Sequence, residues 1–156
     1  MAEEARGEEG PVAAGRFLLN RADRKRIADA IAAAEAATSG EIVVRVDRAA
    51  KGKPRDHAIA EFHRLGLKKT RDRTGVLLFV AVKQRAIEVL GDAGIHAKVP
   101  EGFWQDVVDG LSASFKKGSY ADGLCQAVAG IGAHLARHFP RRPDDANELP
   151  DKPVIG

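Results

Sequence analysis

The sequence predicts an α/β protein: a three-layer α/β/α sandwich around a small mixed sheet, with elements in the order α-β-α-β-β-α-α. Three observations carry this. Residues 41–47 (EIVVRVD) alternate β-branched residues at period two, placing Ile42, Val44 and Val46 on one face of a strand. Residues 75–82 (GVLLFVAV) are apolar on both faces, which suits a short central strand covered on each side. Segments with apolar residues at helical spacing precede, separate and follow these strands. A helical crossover between two strands makes them a parallel, right-handed pair that needs helices to cover it.

Taken in order, residues 1–15 are mostly Ala, Glu and Gly, with too little apolar surface to order themselves, and are expected to be disordered. The folded domain then spans 16–139. Asn20 caps a first helix, Asp23 complements its positive end, and Ile27, Ile31 and Ala34 line one face until Ser39-Gly40 ends it. After the first strand comes a loop around Lys51-Gly52-Lys53. Pro54 opens a second helix whose inner face is Ala58, Phe62 and Leu65. Lys83-Gln84 is short enough to turn the central strand into an antiparallel partner at 85–90, although neither residue favours a tight hairpin.

Two further helices close the domain. One carries Trp104, Val107, Val108, Leu111 and Phe115. The other carries Leu124, Val128, Ile131, Leu135 and Phe139, with Ser119 as its expected cap. The proline-rich segment 140–156 reads as an extended tail.

Composition excludes several functions. The net charge of +3 comes from interspersed acids and bases and names no partner. Aromatic residues are 5% of the chain, so no stacking ladder for nucleic acid is expected. Cys125 stands alone, which rules out an intrachain disulfide and a Cys-based zinc site, and it is expected as a buried small apolar residue. No apolar run reaches the ~20 residues of a membrane span, and the Glu-rich start is not a signal peptide, so a cytoplasmic location is the default. Neither G-x-G-x-x-G nor a Walker lysine pattern occurs, and no nucleotide cofactor is expected.

Connectivity then assembles a candidate site. If the third strand runs back along the second, its end at Gly91-Asp92 lies beside the start of the second strand at Gly75. The first strand, parallel to the second, begins at Glu41 on the same edge. Glu41, Asp72 and Asp92 therefore gather there, with Gly91, Gly94 and His96 in support. Carboxylates with carbonyls of a Gly-rich turn are the oxygen ligands that Ca²⁺ or Mg²⁺ prefers. The bland alternative is that Asp92 stabilises a turn and Glu41 starts a strand facing water. Asp47 with Lys51 and Lys53, at the carboxyl ends of the parallel strands, reads as a mobile charged loop and ranks second. Lys68, Lys69, Arg71 and Arg73 read as a solvated basic loop. His134 and His138 have zinc-compatible spacing, but a helix C-terminus favours His for its dipole alone.

The chain resembles the TPM domain family. The resemblance lies in Ser39-Gly40-Glu41-Ile42-Val43-Val44 after a first helix, Thr74-Gly75-Val76-Leu77-Leu78 entering the central strand, and Ile87-Glu88-Val89-Leu90-Gly91-Asp92. It continues in Gly118-Ser119-Tyr120-Ala121-Asp122-Gly123-Leu124 between the closing helices. It implies an α/β/α sandwich and, in some members, acid-phosphatase activity or divalent-cation binding through acidic residues. Other members act as accessory factors near membranes, and similar bacterial domains accompany membrane-anchored partners of the LemA type. Two departures fall at the site. Arg73-Thr74 stands where an acidic residue is common, and Gly91-Asp92-Ala93-Gly94-Ile95-His96 replaces the usual Gly-Tyr-Gly-Leu-Glu-Gly. The function expected is thus a binding or accessory domain docking a protein partner near the membrane. A metal-dependent acid phosphatase is the alternative.

Overall fold

The computed structural model describes residues 18–142 and 154–155. The segment 1–15, read as disordered, and most of the 140–156 tail lie outside the described residues. Asn20 starts helix α1 (Arg21–Ala36) through a full capping box: its side chain accepts from the Asp23 N–H at 2.7 Å, and Asp23 accepts from the Asn20 N–H at 3.1 Å. Strand β1 (Glu41–Asp47) leads through a loop to α2 (Pro54–Arg64), opened by Pro54 where a missing N–H does no harm. A single 3₁₀ turn, Leu67–Lys69, precedes β2 (Gly75–Ala81) and β3 (Ala86–Gly91). The short α3 (Ala93–His96) and the long α4 (Phe103–Lys116) and α5 (Tyr120–His138) follow. Val154–Ile155 form β4.

The sheet runs β3-β2-β1-β4. β1 is parallel to β2 and β4, and β3 is antiparallel to β2, so the mixed sheet is as predicted. The edge strand β4 is an addition to the predicted order: part of the tail returns to pair with Arg45 and Val46.

Two apolar cores give the three layers. Ile42, Val44, Val46, Val76, Leu78 and Val80 pack against Ile27 and Ile31 of α1, Leu111 of α4 and the Leu124-Val128-Ile131-Leu135 stripe of α5. The opposite face, Val43, Leu77, Phe79 and Ala81, packs against Ala58 and Phe62 of α2 and against Leu67. β2 is buried along its whole length because both layers meet over it.

Four local expectations change. The hairpin turn takes residues 82–85, with Arg85 in the left-handed region at φ 53°, because Lys83-Gln84 cannot supply the two left-handed residues of a type I′ turn. Ser119 makes no side-chain cap bond. Its N–H instead donates to Ser114 O at 2.9 Å, closing α4 around the left-handed Gly118. Of the α4 stripe only Leu111 is fully buried, since this helix packs at the margin of the layer against β3 and α5. Cys125 is half-buried rather than enclosed, and burial pushes its thiol pKa up.

Candidate functional site

Strand register decides which residues meet. Glu41 lies opposite Gly75 in the parallel pair, and Val76 lies opposite Gly91 in the antiparallel pair. The starts of β1 and β2 and the end of β3 therefore share one edge. The Glu41 N–H donates to Thr74 O at 3.5 Å, and the Asp92 N–H donates to Gly75 O at 2.9 Å. Glu41, Asp72 and Asp92 are at the same end of the sheet, where connectivity put them.

Their side chains have separate engagements. Arg73 holds Asp92 in a fork, Nε to Oδ2 at 2.7 Å and a terminal nitrogen to Oδ1 at 2.9 Å. Asp92 also caps α3 by accepting from the Ala93 N–H at 2.8 Å. Burial pushes this carboxyl up, but hydrogen bonds from Arg73 and Ala93, with the charges of Arg73 and Lys68, outweigh it and hold its pKa below the ordinary aspartate value. Asp72 pairs with the Arg142 guanidinium instead. Glu41 is buried rather than facing water. Among the described residues no group of three or more His, Cys, Asp or Glu side chains is arranged to hold a metal ion. With Arg73 on both oxygens of Asp92, the edge as arranged does not fit Ca²⁺ or Mg²⁺.

The supporting residues explain the tight geometry. A Cβ on Gly94 would stand 2.0 Å from Asp72 O and 2.6 Å from Arg73 O, so the α3 backbone reaches the 72–73 loop only without a side chain. That approach lets the Gly94 and Ile95 N–H groups donate to Arg73 O at 2.8 and 3.3 Å. Gly91 lies under the Trp104 indole, whose ring would stand 2.2 Å from a Cβ there. Trp104 Nε1 in turn donates to His96 Nδ1 at 3.0 Å, tying His96 to α4 rather than to the carboxylates.

Toward water, this end presents cations. In the 66–74 loop the exposed side chains are Lys68, Lys69, Arg71 and Arg73. Its only carboxylate, Asp72, is half-buried against Arg142, and the neighbouring Asp92 and Glu41 are buried. The loop is anchored by the fully buried Leu67, and Thr70 Oγ1 accepts from the Thr74 N–H at 2.9 Å.

The opposite end holds a second polar cluster. Asp47 is buried at 4% exposure and is no part of a mobile loop. Its Oδ1 lies 2.9 Å from Arg45 Nε and its Oδ2 lies 3.4 Å from His57 Nε2. Glu61 joins them, 3.5 Å from Arg45 Nε and 2.7 Å from Arg64. The hydrogen bond from Arg64 holds Glu61 below the usual carboxylate range against the opposing effect of burial. The Lys51 N–H donates to His57 Nδ1 at 2.8 Å, which leaves Nε2 to carry the ring proton toward the carboxylates. Gln84 bonds both backbone groups of Ala50 and so ties the loop above this cluster to the hairpin. Sequence reasoning missed Arg45 and Glu61. The available signal was a charged residue inside each core-facing stripe: Glu61 between Ala58 and Phe62, and Arg45 between Val43 and Asp47.

His134 and His138 stack with ring centroids 6.4 Å apart, and His134 rests on Phe103 at 4.6 Å. No helix among the described residues is long and apolar enough to cross a membrane.

The TPM domain model matches residues 14–134 of the chain. Among solved structures, the NMR structure of the BA42 protein from the psychrophilic bacterium Bizionia argentinensis is 36% identical, covering 88% of this chain and 95% of its own, with a TM-score of 0.80. The N-terminal domain of a P. gingivalis protein is 21% identical over 80% of this chain and 83% of its own, with a TM-score of 0.68, a likeness of fold alone. No curated protein matches.

Proposed function

The chain belongs to the TPM domain family, and on that premise we propose that it is a binding module, peripheral to the membrane, that docks a protein partner there. The observation that favours this reading is the fork between Arg73 and Asp92. A hydrolytic centre needs a carboxylate held ready for metal, water or phosphate. Here both oxygens of the buried Asp92 carboxylate are engaged by a guanidinium, and the second aspartate faces Arg142. What remains is a rigid, closed edge, and rigidity lowers the entropy lost when a surface docks. A membrane-anchored protein of the LemA type is the partner the family resemblance suggests. The test is co-sedimentation with membrane vesicles from the cells that make the protein, intact or protease-shaved. Recovery that falls on shaving is expected; equal recovery from both overturns protein docking.

A metal-dependent acid phosphatase using Glu41, Asp72 and Asp92 is the second reading, favoured by the register that brings the ends of β1 and β3 to one edge and by the 72–73 loop lying against Gly94 there. It requires Arg73 to leave Asp92 when a cation arrives. Release of phosphate from a chromogenic monoester, dependent on Mg²⁺ or Ca²⁺ and abolished in Asp92→Asn, would establish it over the binding module.

A further inference from the structure

The geometry points to the 66–74 loop as a docking ridge for an anionic lipid bilayer, with Lys68, Lys69 and Arg73 contacting headgroup phosphates. This deepens the binding-module reading and rests on it. Four exposed cations fall within six residues, and their alternates in the chain turn inward: Leu67, Thr70 and Thr74 are buried. The loop therefore shows charge without apolar surface. Protein interfaces concentrate their affinity in buried aromatic and aliphatic anchors. None is offered here, and the one large apolar side chain exposed among the described residues, Ile59, belongs to α2. A surface of cations alone is complementary to a sheet of phosphates, where each Lys or Arg near the surface adds attraction.

The ridge is also built in advance. Gly66 takes a left-handed turn at φ 75°, Leu67 plugs the lower core, and the Arg73 N–H donates to Thr70 O at 3.2 Å. The fork to Asp92 fixes Arg73 while leaving 46% of its side chain exposed. A pre-ordered loop loses little freedom on contact, so a few cations suffice.

Vesicle co-sedimentation tests this with the full chain, using phosphatidylcholine with and without phosphatidylglycerol. Binding to the anionic vesicles that weakens as salt rises is expected, with none to phosphatidylcholine alone. Lys68→Ala with Lys69→Ala should weaken binding about thirtyfold. Lys51→Ala with Lys53→Ala, at the far end of the sheet, should leave it unchanged. Equal binding to neutral vesicles, or equal losses in the two double variants, overturns the ridge. Protease-sensitive recovery on native membranes without vesicle binding removes the lipid contact and leaves protein docking standing. Vesicle binding without protease-sensitive recovery does the reverse.

Discussion

Arg73 and Asp92, nineteen residues apart, meet in a two-bond fork of 2.7 and 2.9 Å that closes the 70–74 loop onto the start of α3. Asp92 is the buried partner and Arg73 the half-exposed one. Removing the acid therefore matters more, since it also uncaps α3. Asp92→Ala should lower unfolding stability by about 1–2 kcal/mol, read from urea midpoints. Arg73→Ala should destabilise as well, and the double variant should lose less than the sum of the singles. Strict additivity would show that the two do not act as a pair.

Gly94→Ala tests the close approach of two backbones. The new methyl would collide with the carbonyl oxygens of Asp72 and Arg73, which cannot rotate away as a side chain can. A loss of about 1–3 kcal/mol or more is expected, with faster amide exchange at Gly94 and Ile95. Ala93→Gly, one residue earlier and exposed, is the control. A Gly94→Ala protein as stable as wild type would mean the loop is not held there.

Acid should weaken the fold partly through Asp92. Its folded-state pKa lies below the unfolded value of about 3.9, so the unfolded chain takes up the proton first. The stabilisation is complete above that value and is lost as pH falls through the depressed one. Asp92→Asn removes this contribution, so its stability-versus-pH curve should be flatter than that of wild type below about pH 4. Parallel curves would assign the acid sensitivity elsewhere, Glu61 being the next candidate because its pKa is also lowered.

Glu61→Gln should cost about 1–3 kcal/mol in chemical denaturation. The change keeps the shape but removes a charge facing Arg45 and Arg64, and Arg45 is nearly enclosed at 14% side-chain exposure. The His57 ring resonances should shift, because Nε2 lies 4.0 Å from Glu61 Oε1. An unchanged midpoint together with unmoved His57 resonances would remove Glu61 from the cluster.

Much of this protein was legible before folding. Period-two alternation located β1 to the residue, and the doubly apolar run located β2, because burial on one or both faces leaves that pattern in the chain. The capping box of α1 was half visible in Asn20 and Asp23. Connectivity alone brought Glu41, Asp72 and Asp92 to one edge, since strand direction and hairpin reversal fix which ends coincide. The turn at residues 82–85, the closure at Gly118 and the bridging of Val154–Ile155 to β1 were less legible. Each depends on backbone partners far away or on a left-handed residue that no pattern announces.

The sequence by itself determined the layers, the parallel and antiparallel pairings, and the edge at which the acidic residues lie. Only the tertiary structure decided what those acids do. An Arg side chain is long and its direction follows from packing, so Arg73 could have faced water. The approach of Gly94 to the 72–73 backbone and the burial of Leu67 aim it at Asp92 instead. With Glu41 buried and Asp72 held by Arg142, that orientation helps turn an edge read as acidic into one that shows cations to its surroundings.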